Sequence, residues 1–245
     1  MREADRVYES LPGMEMDMLL KKWNELPEFM RTKEVRKYYN ILSRRRTSLC
    51  IKRIFDVTAA LLLLVILCPF MLVIAVMIKT DSRGPVFFRQ ERVTRYGRIF
   101  RIFKFRTMVD RADQMGALVT TEADSRITRV GALLRKVRLD ELPQLINVLR
   151  GDMTFVGTRP EVRRYVDAYT DEMNATLLLP AGITSQASIR YKDEDALLAG
   201  AEDVDDVYIK KVLPGKMRYN LRSIRHFSCF SDIITMIQTV IAVFF

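Results

Sequence analysis

The sequence predicts a mostly helical α/β domain fixed to a membrane by one apolar segment. Three observations carry this reading. Residues 57–78 run for 22 positions without a charge. The basic stretch that follows breaks into short apolar and aromatic runs between Gly84–Pro85 and Gly97, the pattern of a small β-hairpin. Beyond it, apolar residues recur at helical spacing around a dense block of acids and arginines at 127–161.

Length and composition set the frame. A chain of 245 residues holds one core-forming domain with attachments, or at most two small domains. With 49% apolar and 29% charged residues, it suits neither wholesale disorder nor a polytopic membrane bundle. Cys50, Cys68 and Cys229 lie far apart, and with His226 they give too few ligands for a zinc site. The 40 Lys and Arg residues against 30 acids leave a net charge of +10. Chemistry must come mainly from carboxylates, arginines and lysines.

The elements follow in order. Residues 1–53 carry thirteen basic and eight acidic side chains, and acids from Glu3 to Asp17 interrupt any cleavable leader. Leu19, Leu20, Trp23 and Leu26 form a short apolar stripe, so residues 1–50 read as a helical extension, either interfacial or docked on the rest of the protein. Residues 57–78, as one straight helix, reach about 33 Å, enough for a hydrocarbon core of about 30 Å. Pro69 lies near the middle and lacks the amide that a helix needs there. A kinked span is one outcome. The other is a helix that enters, bends at Cys68–Pro69 and returns. Both flanks are cationic: Arg44, Arg45, Arg46, Lys52 and Arg53 before, and Lys79, Arg83, Arg89, Arg92 and Arg95 after. A single span prefers one cationic side, whereas a returning segment keeps both beside anionic headgroups. Residue physics alone leaves the two open.

From 79 to 109 there are nine basic residues and two acids, interleaved with Phe, Tyr and Ile. This interleaving also suits nucleic-acid stacking. Beside a membrane anchor it describes more economically a lipid-facing surface plus a phosphate site, and nucleic acid is not an expected partner.

In 127–161, Asp140 and Glu141 precede Pro143 at the start of a predicted helix. Leu142, Leu145, Ile146 and Leu149 make its buried face, and Gly151 ends it. On a wheel Asp140 falls opposite that face and Glu141 on its flank, so both are expected to meet solvent or substrate. Arg135, Lys136, Arg138 and Arg159 lie close in sequence, with Lys104 and Arg106 from the basic region. Arginine clamps phosphate through charge-assisted, often bidentate bonds. A carboxylate attacks phosphorus when cations neutralise the phosphoryl oxygens, and a second carboxylate can hold Mg²⁺. Neither GxxxxGK[ST] nor GxGxxG occurs, which disfavours a P-loop ATPase and the usual dinucleotide site. A salt-bridged amphipathic face is the competing reading, and it accounts well for Lys136 and Arg138.

The segments KRIFDVTAALLLLVILCPFML, GPVFFRQERV, IFKFRTM and RLDELPQLINVLRGDMTFVGTRPE together resemble the bacterial sugar transferase family, the monotopic phosphoglycosyl transferases. The resemblance runs in order over about residues 51–161 and more loosely to 245. It implies a re-entrant hairpin at 51–79, with its bend at Cys68–Pro69, and a domain at 80–245 with interfacial amphipathic helices on the cytoplasmic face of the bacterial inner membrane. It implies transfer of sugar 1-phosphate from a nucleotide diphosphate sugar, usually a UDP-sugar, to polyprenyl phosphate, releasing UMP and starting a surface glycan. Asp140 matches the family's nucleophile, which forms an acyl phosphosugar, and Glu141 its Mg²⁺ ligand. Arg135 and Arg159 match substrate-phosphate binders, with Lys104 and Arg106 grouped beside them. Expected partners are the donor, the acceptor and anionic lipids; a homodimer stays open. A catalytically silent scaffold would be expected to have lost a dyad carboxylate or a phosphate arginine, and none is missing.

Two departures stand out. The family's Ser-Pro at the bend is Cys68–Pro69, and its Gly-Pro-Arg-Pro is Gly157-Thr158-Arg159-Pro160. Thr158 leaves more backbone freedom before the arginine than proline would. Downstream, residues 190–206 hold seven acids and two bases and read as a solvated segment. Residues 231–245 are too short for a comfortable span and read as an interfacial or docked helix. His226 reads as a surface side chain.

Overall fold

The structure is a computed structural model describing residues 20–110, 112, 125–192, 194 and 203–244. Leu19 of the apolar stripe and most of the acidic stretch, 193 and 195–202, lie outside the described residues, as does the remainder of the extension before Leu20.

Helix α1 (Lys33–Ser43) begins at Thr32, whose hydroxyl accepts from the Val35 amide at 3.3 Å. Val35, Tyr38, Tyr39 and Leu42 lie at i, i+3, i+4 and i+7 and are buried. They pack with Leu20, Leu26 and Met30, and with Ala175, Leu177, Leu221, Ile224 and Phe227 from much later in the chain. The described part of the extension is therefore docked on the rest of the protein.

Helix α2 (Arg46–Asp81) runs for 36 residues, about 54 Å at 1.5 Å per residue. Pro69 lies inside it, and the chain is not divided there into two helices. Its buried residues, Leu49, Lys52, Asp56, Ala60, Ile74 and Ile78, fall on one stripe. The intervening Leu61, Leu62, Val65, Ile66, Leu72 and Val73 are all exposed by more than half. Both ends grip the same domain. Arg53 donates to the carbonyls of Val148 and Leu149, and Asp56 accepts from Thr154 Oγ1 at 2.5 Å. At the far end Ile74 and Ile78 pack on Phe105 and Leu134, and Asp81 accepts from the Val130 amide at 3.0 Å.

The predicted hairpin is present as β1 (Phe87–Val93) and β2 (Ile99–Phe105), antiparallel with Phe87 opposite Phe105 and Val93 opposite Ile99. Helices α3 (Arg129–Lys136) and α4 (Gln144–Arg150) follow. Gly151, at φ +80°, caps α4 in the left-handed conformation that glycine adopts without strain. The buried face of α4 differs from the predicted leucine stripe. It is Gln144, Leu145, Asn147 and Val148, while Ile146 and Leu149 are half-buried. Asn147 explains the rotation: its side chain accepts from the Phe103 amide at 2.8 Å and donates to the Arg101 carbonyl at 3.1 Å, completing the open edge of β2.

A second pair, β3 (Met153–Val156) and β4 (Ala181–Thr184), is parallel and escaped the sequence reading, since four-residue runs carry too little periodicity. Helix α5 (Leu213–Arg225) packs on α1, and helix α6 (Cys229–Phe244) follows it. The orientation of α6 reverses that of a water-soluble surface helix. Thr235 and Thr239 bond inward to Gln186 and Thr184, and Asp232 to Lys52 at 2.7 Å. Phe230, Ile233, Ile237, Val240 and Ile241 are exposed. A side this apolar, beside the bare surface of α2, needs lipid or another apolar cover.

Candidate active site

Asp140 and Glu141 lie on a 3₁₀ turn, Leu139–Glu141, between α3 and α4. Arg138 enters it at φ +57°, ψ +20°, a left-handed conformation that costs a non-glycine residue about 1–2 kcal/mol. The chain thereby reverses after α3 and presents two adjacent acids to β2. The expectation that both face solvent is corrected: Asp140 is 8% exposed and the Glu141 side chain 10%. Lying on a separate turn and not on α4, they point into the domain.

The two acids have opposite surroundings. Arg159 grips Glu141 with both guanidinium nitrogens, Nη2 to Oε1 at 2.5 Å and Nη1 to Oε2 at 3.3 Å. Lys104 donates to the same Oε1 at 3.0 Å. Burial pushes the Glu141 carboxyl up, but Arg159 and Lys104 outweigh it and hold the group well below the usual carboxylate range. Glu141 in turn raises Arg159, while burial lowers Lys104. Asp140, among the described residues, accepts no hydrogen bond and forms no ion pair. Burial raises its carboxyl, with Glu141 adding to the rise and Lys104, Arg135 and Arg138 opposing it. One acid is saturated with cations; its neighbour is desolvated and uncommitted.

Of the residues singled out from sequence, Lys104 and Arg159 meet Glu141, and Arg135 and Arg138 act on Asp140 through charge. Arg135 also donates through Nε to Thr107 Oγ1 at 3.0 Å. Arg106 is buried and bonds through Nη2 to Ser82 just past α2, at 2.8 Å to the carbonyl and 2.9 Å to the hydroxyl, while its Nε and Nη1 have no hydrogen-bond partner among the described residues. Cys68 and Pro69 are exposed on α2, and His226 is exposed beyond α5.

Among the described residues no group of three or more His, Cys, Asp or Glu side chains could form a metal cage. Mg²⁺ does not require one, because it often takes one or two carboxylates and completes its shell with water and substrate phosphates. The ionised Glu141 carboxylate fits that donor set, provided Lys104 or Arg159 releases one of the Glu141 oxygens to which it donates.

Residues 47–245 match the family model described as bacterial sugar transferase. The chain belongs to the bacterial sugar transferase family. Among curated relatives of this chain, a UDP-N-acetylgalactosamine-undecaprenyl-phosphate N-acetylgalactosaminephosphotransferase of Aeromonas hydrophila is 38% identical over 193 residues, 78% of this chain and 43% of that protein. A UDP-glucose:undecaprenyl-phosphate glucose-1-phosphate transferase of Caulobacter vibrioides is 37% identical over 192 residues, 77% of this chain and 68% of its own length. The exopolysaccharide production protein ExoY of Rhizobium meliloti is 32% identical over 207 residues, covering 78% and 84%. The chain thus spans less than half of the first relative and about two thirds of the second. Family membership and the long apolar helix place the chain at the bacterial inner membrane.

Sequence reasoning did not foresee the partners of several polar groups of this chain. Lys52 is buried between Asp232 at 2.7 Å and Asp56 at 3.9 Å, joining α2 to α6. Glu161, just past Arg159, is 7% exposed and pairs with residues some fifty positions downstream. A single acid after Pro160 carries no periodic signal. Asn147 could have been found as a polar residue adjoining the apolar face of a predicted helix.

Proposed function

We propose that this protein transfers sugar 1-phosphate from a nucleotide diphosphate sugar, a UDP-sugar by its relatives' names, to polyprenyl phosphate. The observation that carries the reading is the asymmetry of the dyad. Asp140 is buried and, among the described residues, accepts no hydrogen bond, hence a nucleophile with none to shed there. In the first step an Asp140 carboxylate oxygen attacks the phosphorus bearing the sugar. The P–O bond to the nucleoside monophosphate breaks and UMP leaves, giving an acyl phosphosugar. In the second, an oxygen of polyprenyl phosphate attacks the same phosphorus, Asp140 is released as carboxylate, and polyprenyl diphosphate-sugar forms.

Arg159, Lys104 and Arg135 are the cations that would offset charge on the phosphoryl oxygens. Arg159 can reach a phosphate only by loosening its hold on Glu141. Glu141 would hold Mg²⁺, which supplies further neutralisation when bound.

Membrane attachment is read as a re-entrant segment. Its support is that both ends of α2 dock on one domain, that both flanks are cationic, and that Pro69 leaves the Val65 carbonyl without its helical donor at the midpoint. The exposed apolar side of α6 would lie in the same interface, with anionic lipids meeting the arginines.

The test is intact-protein mass spectrometry with a panel of UDP-sugars and no acceptor. Wild type should gain one sugar phosphate on Asp140 and release one UMP. An adduct on another residue would remove Asp140 from the role, and turnover without any adduct would remove the two-step route.

A further inference from the structure

The backbone of the loop at 157–161 is fastened at nearly every position, which leaves the Arg159 side chain to reach across to Glu141. Gly157 donates to the Thr184 carbonyl at 3.0 Å, and the Thr158 carbonyl accepts from Gly182 at 2.8 Å. Gly157 and Gly182 pack so closely that a Cβ on Gly182 would lie 2.2 Å from the Gly157 nitrogen. Arg92 donates to the Pro160 carbonyl at 3.3 Å, and the Glu161 carbonyl accepts from Val93 at 2.9 Å. These bonds replace the rigidity that proline at 158 would have supplied.

The Glu161 side chain adds an anchor from a distant part of the chain. Its Oε1 accepts from the Tyr208 hydroxyl at 2.6 Å and lies 3.5 Å from Lys216 Nζ. Lys216 donates to the same Tyr208 hydroxyl at 2.9 Å and to Glu194 at 2.9 Å. Glu161, Tyr208 and Lys216 are each at least nine-tenths buried. Burial, then Glu161, drives the Tyr208 hydroxyl far above the ordinary phenol range, so it stays a donor. Charges and bonds in such a dry group are costly unless mutually satisfied, and here they are.

The helix is altered to make this contact. Tyr208–Val212 is a π-helical turn leading into α5. In an unbroken α-helix, eight residues leave Tyr208 and Lys216 about 80° apart around the axis. The wider turn absorbs the extra residue and lets both side chains converge on Glu161. Such turns are uncommon and recur at functional sites.

We infer that Tyr208 and Lys216 are positioning residues for phosphate binding: through Glu161 they hold the 157–161 loop so that the Arg159 guanidinium is aimed at the dyad before a diphosphate arrives. They touch no reacting atom. The inference rests on the reading of Arg159 as a phosphate clamp under the proposed function.

The test is a double-mutant cycle on binding of inorganic pyrophosphate, measured by calorimetry on the membrane-reconstituted full chain, which needs no turnover. Tyr208→Phe keeps the ring packed 4.4 Å from Tyr165 and removes only the hydroxyl. It should weaken pyrophosphate about tenfold, as should Lys216→Met, while Lys216→Arg should restore most of the affinity. Arg159→Lys should weaken binding by itself, and Tyr208→Phe added to it should cost less than twofold more. Additive losses would overturn the inference, since Tyr208 would then act independently of Arg159. Unchanged affinity in Tyr208→Phe, or failure of wild type to bind pyrophosphate, would overturn it too. Absence of the sugar-phosphate adduct with intact pyrophosphate coupling would count against the proposed reaction and not against the positioning role.

Discussion

The turn that carries Asp140 and Glu141 and the loop that carries Arg159 meet at one carboxylate, yet they are built in different ways. The dyad turn is local. It is a 3₁₀ turn set by a left-handed Arg138 and closed by Pro143 and α4 within a dozen residues. The arginine loop is assembled from afar, by β1, β4, the π-helical turn and α5. A local turn can store strain and desolvation on a reacting group, whereas a loop tied by long-range bonds holds a charged clamp still. The contrast extends to the acids. Glu141, bound by the loop, is stabilised as an anion; Asp140, left to the turn, is not.

The largest effect should come from the turn. Asp140→Asn removes the proposed nucleophile and should lower turnover roughly a thousandfold or more, read as UMP release. Because burial favours the neutral form of Asp140, the same variant should melt no lower than wild type. A marked fall in Tm would mean that Asp140 holds the fold together, and the contrast between the two acids would collapse.

Glu141→Gln should cost roughly a hundredfold in turnover, and it should also destabilise, since two half-buried cations lose their buried counter-charge. The linkage has a definite sign. A carboxyl depressed in the folded state adds stability above its unfolded pKa of about 4.3 and loses it as pH falls through the lower, folded value. Wild type should thus shed stability on acidification below about pH 4.3, and Glu141→Gln should lack that component. Parallel melting profiles in the two proteins would break the assignment.

A smaller effect is a displaced acid limb. The raised Asp140 carboxyl predicts that the rate of UMP release begins to fall, as pH is lowered, above the ordinary carboxylate range. Lys104→Met removes a cation that opposes the rise, so the limb should move further up in pH. An unmoved limb would assign the titration to another group.

The smallest effects sharpen the local half of the comparison. Arg138→Gly relieves a positive φ and should change Tm only slightly, whereas Arg138→Val should cost about 1–2 kcal/mol in thermal unfolding. Equal stability of the two would show that the left-handed turn is not strained.

Much of the site was legible because it is contiguous. The 22-residue uncharged run, the Gly-bounded hairpin, and the Asp140–Glu141 pair ahead of Pro143 are each fixed by neighbouring residues, through helix length, turn chemistry and first-turn tolerance of proline. The cations at 104, 135 and 159 could be named as a set from residue type and motif. The sequence by itself thus determined the long apolar segment, the candidate site's residue types and their order. Tertiary structure alone decided which acid is bound and which is left bare, because that depends on Lys104 and Arg159, 37 and 18 residues away, reaching one carboxylate and not its neighbour. It also decided the rotation of α4, where the unpaired edge of β2 draws in Asn147. And it alone brought Tyr208 and Lys216 to Glu161, since an ion pair across some fifty residues forms only after burial removes the water that would otherwise compete for every charge.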